Sequence, residues 1–270
     1  TRRREGGLIE SAAPLTIARM KDSPNTNASG EATRAITKGR TSAEHHGVVN
    51  TPVYHASTIL HPDVDSFAKR HDPNTDRRKV IYGLLGTPTT FDLEEVIADL
   101  EGGHGAVLVP SGLAAISVAL LSFLRPGDHL LVADTVYPPT RSFCDQYLVA
   151  MDVTVDYYDP LVGAGIESLI QPKTRVIFLE SPGSFTFEVQ DIPAITAVAR
   201  KHSISTVLDN TWSTPLFFKS FSHGVDVSVH AATKYLSGHS DVLMGAIGCA
   251  EHTWDQVKRT HRHLGQCVGP

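Results

Sequence analysis

The chain has 270 residues, 41% hydrophobic and 20% charged, an ordinary globular composition with enough apolar content for one large core. Its net charge of -5, from 24 Lys+Arg against 29 Asp+Glu, gives no support for a nucleic-acid or anionic-membrane partner, and no apolar run is long enough to cross a bilayer. The three cysteines (Cys144, Cys249 and Cys267) lie far apart without metal-ligand spacing, so a disulfide framework is not expected and a cytoplasmic setting is the default.

Residues 1–46 read as an N-terminal arm. Arg2–Arg4 is not followed by the apolar segment of a secretory signal. Met20 is a candidate start, which would make residues 1–19 non-native. Residues 20–45 are rich in Ser, Thr, Asn and Lys and read as flexible. Residues 47–270 read as one large domain. The spacing of Leu93, Val96, Ile97 and Leu100 predicts a helix over 91–101, with Thr89 as its capping signal and Glu94, Glu95 and Glu101 on its wet face. A buried strand over 105–110 follows, then a helix over 113–124, the turn 125–128 and a strand over 129–133. A helix over 140–149 precedes the alternating strand 153–158 and the strand 175–180. Pro193 suits the first turn of a helix over 193–202. Strands over 205–210, 226–230 and 243–249 complete the pattern. Strands separated by helices of this length predict an α/β domain with a largely parallel sheet, whose ligands gather at the carboxyl ends of the strands.

Four segments just beyond apolar strands hold chemistry-bearing residues. In SVHAATKYLSGHSDV (228–242), Lys234 follows a strand among small residues; such a setting can turn a lysine into a nucleophile, although a solvent-facing loop lysine has the same local sequence. In STVLDNTW (205–212), Asp209 ends an apolar strand, where an unpaired carboxylate is costly. It could pair with a pyridinium nitrogen, cap a helix or join a salt bridge. In VPSGLAAISVALL (109–121), Ser111 and Gly112 open a helix whose first N–H groups and dipole favour an anion; an ordinary Ser cap reads the same way. In ADTVYPPTRSFC (133–144), Tyr137 precedes two prolines and could stack on a flat ligand or simply pack in its loop. The histidines, among them His45, His46, His261 and His263, lack the spacing of a zinc site, and Cys144 reads as a packed small residue.

Taken together, ATKYLSGHSDVLMG (232–245), DNTW (209–212), ESPGS (180–184) and YGLLGTPT (82–89) resemble the Cys/Met-metabolism pyridoxal-phosphate enzymes from about residue 47 onward. Within that family the chain looks most like the cystathionine β-lyases, on LEGGHGAVLVPSGLAA, YPPTRSFC and VIFLESPGSFTFEVQDIPAI, with Ser184 and Ala231 where many relatives carry Asn and Ser. The resemblance implies a fold type I (aspartate-aminotransferase-like) large domain followed by a small C-terminal domain; the chain stops at Gly269-Pro270, before it. It implies pyridoxal phosphate as cofactor, held by Lys234 as a Schiff base. Asp209 would sit on the ring nitrogen and Tyr137 on the ring face, Tyr137 also aiding proton transfer. Gly112, Leu113 and Thr233 would hold the phosphate, with Tyr82 reaching that of a neighbouring subunit. A homodimer or homotetramer acting on cystathionine is the implied assembly and substrate. Leu84 stands where the family usually has a phosphate-binding Arg.

Overall fold

The computed structural model describes residues 30–70 and 78–270. The expectations for residues 1–29, a start at Met20 included, lie outside the described residues. Within the segment read as an arm, helix α1 (Glu31–Thr37) lies on helix α3 (Pro88–Glu101), with Arg34 on Asp99 at 2.6 Å and Lys38 on Glu95 at 3.2 Å. Between them is the short helix α2 (Val64–Ala68), capped by Asp63, which accepts from the Ser66 N–H.

Two expectations about α3 are corrected. Its cap is Thr87, not Thr89, because Pro88 takes the first turn and the Thr90 hydroxyl accepts from the Thr87 N–H at 2.9 Å. Thr89 lies inside the helix and its hydroxyl donates to the Pro52 carbonyl. The wet face carries Glu95 but not Glu101, which is buried. Glu94 is also drawn inward, and burial pushes its carboxyl up to about 8.

The remaining elements follow the predicted order. Strand β1 (Gly105–Val109) leads to α4 (Gly112–Phe123), β2 (His129–Ala133) and α5 (Pro138–Ser142). The predicted helix over 140–149 continues from α5 as a π-helical turn at Phe143–Leu148. Then come β3 (Thr154–Tyr158), β4 (Thr174–Glu180), α6 (Ile192–Lys201), β5 (Ser205–Asp209) and the short α7 (Thr214–Phe217). Strands β6 (Val227–His230) and β7 (Gly245–Cys249) and helix α8 (Glu251–His263) end the chain.

The seven strands form one sheet in the order β1-β7-β6-β5-β4-β2-β3. Only β7 runs antiparallel to its neighbours; β6, β5, β4, β2 and β3 are mutually parallel. The central strands are apolar throughout because helices cover both faces. Alternation along β1 shows the two layers: Val107 and Val109 join the main core with α4, whereas Ala106 and Leu108 pack against Ile97 and Ala98 of α3. Parallel connections bring the carboxyl ends of β2, β4, β5 and β6 to one edge, and the segments singled out in the sequence all emerge there. Among the described residues no helix is long and apolar enough to cross a membrane.

Candidate functional site

Lys234 emerges from the turn after β6. Its N–H donates to the Ala231 carbonyl at 2.9 Å, and its side chain is exposed. The strand end is stitched to β5, since the Ala231 N–H donates to the Thr211 hydroxyl at 2.8 Å and the Asn210 N–H to the Val229 carbonyl at 3.0 Å. Asp209 ends β5 beside Val229 of β6 and Glu180 of β4, its in-register neighbours. Its carboxylate accepts from the Thr211 N–H at 3.0 Å. Burial pushes the Asp209 carboxyl up, partly offset by the Thr211 hydrogen bonds and by the electrostatic influence of nearby His230 and Lys234.

The helix α4 terminus lies against the same turn. Ser111 caps it, accepting from the Ala114 N–H at 3.1 Å. The Gly112 and Leu113 N–H groups find no acceptor among the described residues, as the first turn of a helix dictates. A Cβ on Gly112 would stand 2.6 Å from the Ala231 Cβ and 2.9 Å from its Cα. Only glycine lets the backbone that ends in Lys234 approach the helix N-terminus so closely. A helix end with free N–H groups and a lysine turn are thus brought together.

Tyr137 ends the β2 loop, 46% exposed, with Pro138 and Pro139 opening α5 behind it. Its N–H donates to Glu180 Oε2 at 2.8 Å, and the Ser184 hydroxyl donates to Oε1 at 2.6 Å. Burial and the adjacent Asp209 charge push the Glu180 carboxyl up to about 7, held back by those two donors. Thr233 sits one residue before Lys234, but its hydroxyl is engaged with the Met244 backbone, donating to the carbonyl and accepting from the N–H, each at 3.1 Å. Tyr82 and Leu84 lie apart from this edge group, on the 3-10 turn Gly83–Leu85, where Tyr82 is 47% exposed.

Three features of the edge go beyond the sequence reading. An aromatic rim stands beside Lys234: Trp212 meets Phe187 at 5.3 Å and Tyr235 at 6.4 Å between ring centres. Phe187 and Phe185 both hold positive φ, 61° and 66°, in the loop that follows the cis Ser181-Pro182 bond. The second is Glu180 itself, visible in the sequence only as the first letter of ESPGS. The third is a buried group of Glu101, Asn210, Ser228 and His230 on the other face of the strands. The i, i+4 spacing of Glu101 from the core residue Ile97 is the signal that could have found it. A cleft of about 690 Å³ opens further out, lined by Asp134, Arg141, Tyr157, Ser184, Phe185 and Glu188; neither Lys234 nor Asp209 lines it.

The residues present fit pyridoxal phosphate. A lysine, a half-buried carboxylate, free helix N–H groups beside a glycine that a Cβ would fill, and an exposed tyrosine share one edge. A family model described as Cys/Met metabolism PLP-dependent enzyme matches residues 32–270. The Escherichia coli (strain K12) protein named cystathionine beta-lyase MetC is 41% identical over 239 residues, covering 87% of this chain and 60% of its own. A Wolbachia pipientis relative named L-alanine/L-glutamate racemase is also 41% identical, covering 86% of this chain and 59% of its own. The solved cystathionine gamma-lyase of Lactobacillus plantarum, complexed with L-serine, superposes with a TM-score of 0.81 at 29% identity, covering 90% of this chain and 61% of that one. The chain spans about 60% of the length of these proteins.

Proposed function

We propose a function from the premise that this chain belongs to the Cys/Met metabolism pyridoxal-phosphate-dependent enzyme family: β-elimination on cystathionine, breaking a carbon–sulfur bond and consuming one water to give homocysteine, pyruvate and ammonia. When bound, pyridoxal phosphate supplies an electron sink that stabilises negative charge at the substrate α-carbon. Lys234 would hold its aldehyde carbon. Once exchanged for the substrate amine, the Nζ would take the α-proton as general base. The Asp209 carboxylate would accept the ring N–H and keep it protonated. Gly112 and Leu113 would donate their N–H groups to the phosphate at the helix end. Tyr137 would cover one ring face, its loop fixed by the hydrogen bond to Glu180. Thr233 would need to turn its hydroxyl proton away from Met244 to serve the phosphate.

The observation that carries this reading is the close approach of Gly112 to Ala231, which sets a helix end with free N–H groups against the lysine turn. Leaning toward β-elimination are Ser184 and Ala231, the residues in which the chain sides with β-lyases, and the β-lyase name of a relative. The γ reactions (elimination, cystathionine synthesis, sulfhydrylation) keep the same residues and differ in the bond broken. Incubation with cystathionine separates them: pyruvate and homocysteine are expected, whereas 2-oxobutyrate and cysteine would make it a γ-lyase. A second copy contributing Tyr82 to the phosphate site, in a homodimer or homotetramer, belongs to the same proposal.

A further inference from the structure

Asp209 and Lys234 are held from behind. Side chains alternate along a strand, so Asn210, Ser228 and His230 project to the face of the sheet opposite Asp209 and its register partner Val229. There they converge on Glu101, the last residue of α3, whose side chain is 0% exposed. One oxygen, Oε1, accepts from the His230 Nε2–H, from the Ser228 hydroxyl at 2.7 Å and from the Asn210 amide at 3.1 Å. Oε2 and the Asn210 Oδ1 find no partner among the described residues. Asn210 directly follows Asp209, and His230 ends the strand four residues before Lys234. We propose that Glu101 is a positioning residue: from the far face of the sheet its carboxylate clamps Asn210 and His230, and so fixes Asp209 and the Ala231–Lys234 turn for pyridoxal phosphate.

The inference rests on the reading above, that Asp209 and Lys234 face this cofactor. A buried carboxylate is costly, and one placed only to join α3 to the sheet could be replaced by a neutral group. Burial works against the Glu101 carboxylate, yet the three donors outweigh it and hold its carboxyl below the usual range. The charge is therefore retained at this position. Two further charged groups contact residues that adjoin the cluster. Lys219, after α7, places Nζ on the Leu100 carbonyl at 2.6 Å and on Glu31 of α1 at 2.9 Å. Glu180 of β4 lies beside Asp209, which faces away from Glu101.

The test compares the full chain reconstituted with pyridoxal phosphate against Glu101→Gln, His230→Gln and the milder Ser228→Ala. Three quantities are read: melting temperature without cofactor, cofactor Kd by absorbance titration, and the pH midpoint of the bound chromophore. Glu101→Gln and His230→Gln are expected to weaken cofactor binding by about tenfold and to move the chromophore midpoint, and Ser228→Ala to do the same to a smaller degree. Should either glutamine variant fail to fold, Ser228→Ala still decides. Variants that melt lower yet keep the parent's Kd and midpoint would show a purely structural joint and overturn the proposal; so would variants unchanged in all three. A parent chain that never takes up the chromophore overturns the site reading as well, which separates the two failures.

Discussion

Glu180 and Asp209 are register partners on adjacent parallel strands, two carboxylates side by side at the edge where Lys234 emerges. Burial raises both carboxyls, and repulsion from Asp209 adds to it at Glu180, which is pushed up to about 7. A cationic ring nitrogen seated on Asp209 would relieve that repulsion.

The first prediction follows by linkage. Glu180 titrates near 7 when folded and near 4.5 when unfolded, so between those values the folded chain holds a proton that the unfolded chain has lost. Stability from this group is full below about pH 4.5 and falls as pH rises toward 7, by an amount on the order of a few kcal/mol. Glu101, with its lowered value, contributes with the opposite sign, but equally in parent and variant. Melting temperatures of the cofactor-free parent and Glu180→Gln, taken from pH 4.5 to 7.5, should therefore diverge, the parent losing more stability than the variant. Parallel curves would contradict the assignment.

Gly112→Ala should damage cofactor binding and stability together. The new methyl would meet Ala231 at 2.6 Å, and parting the lysine turn from helix α4 should cost about 1–3 kcal/mol. Differential scanning calorimetry and a cofactor titration check both effects. A variant that binds pyridoxal phosphate as tightly as the parent would remove Gly112 from the cradle.

Leu84→Arg restores a charged group on the turn that carries Tyr82. If that turn reaches the phosphate of a second copy, the variant should bind pyridoxal phosphate more tightly, by about 1.5–3 kcal/mol, and only where sedimentation shows an oligomer. Equal affinity in the oligomers of parent and variant would place the turn away from the phosphate.

The sheet was legible in the sequence because its strands are short apolar runs bounded by turns, and their order along the chain needed no tertiary information. Lys234, Asp209, Gly112 and Tyr137 were legible as residues just past those runs, where an α/β sheet gathers its ligands. Their convergence was not: the contact of Gly112 with Ala231 spans more than a hundred residues and depends on β7 lying between β1 and β6. Glu101 was misread because a glutamate near a helix end is usually solvated, and its three donors come from strands far along the chain. The cap of α3 slipped by two residues because Thr87, Thr89 and Thr90 offer equivalent hydroxyls, and Pro88 decides among them.

The most direct test is to reduce the cofactor-loaded protein with borohydride and map the peptide that retains the pyridoxyl group. A yellow protein labelled at Lys234, with Lys234→Ala folded but unlabelled, is the result expected. A label on another lysine, or equal labelling of the alanine variant, would contradict the assignment of this edge as the cofactor site.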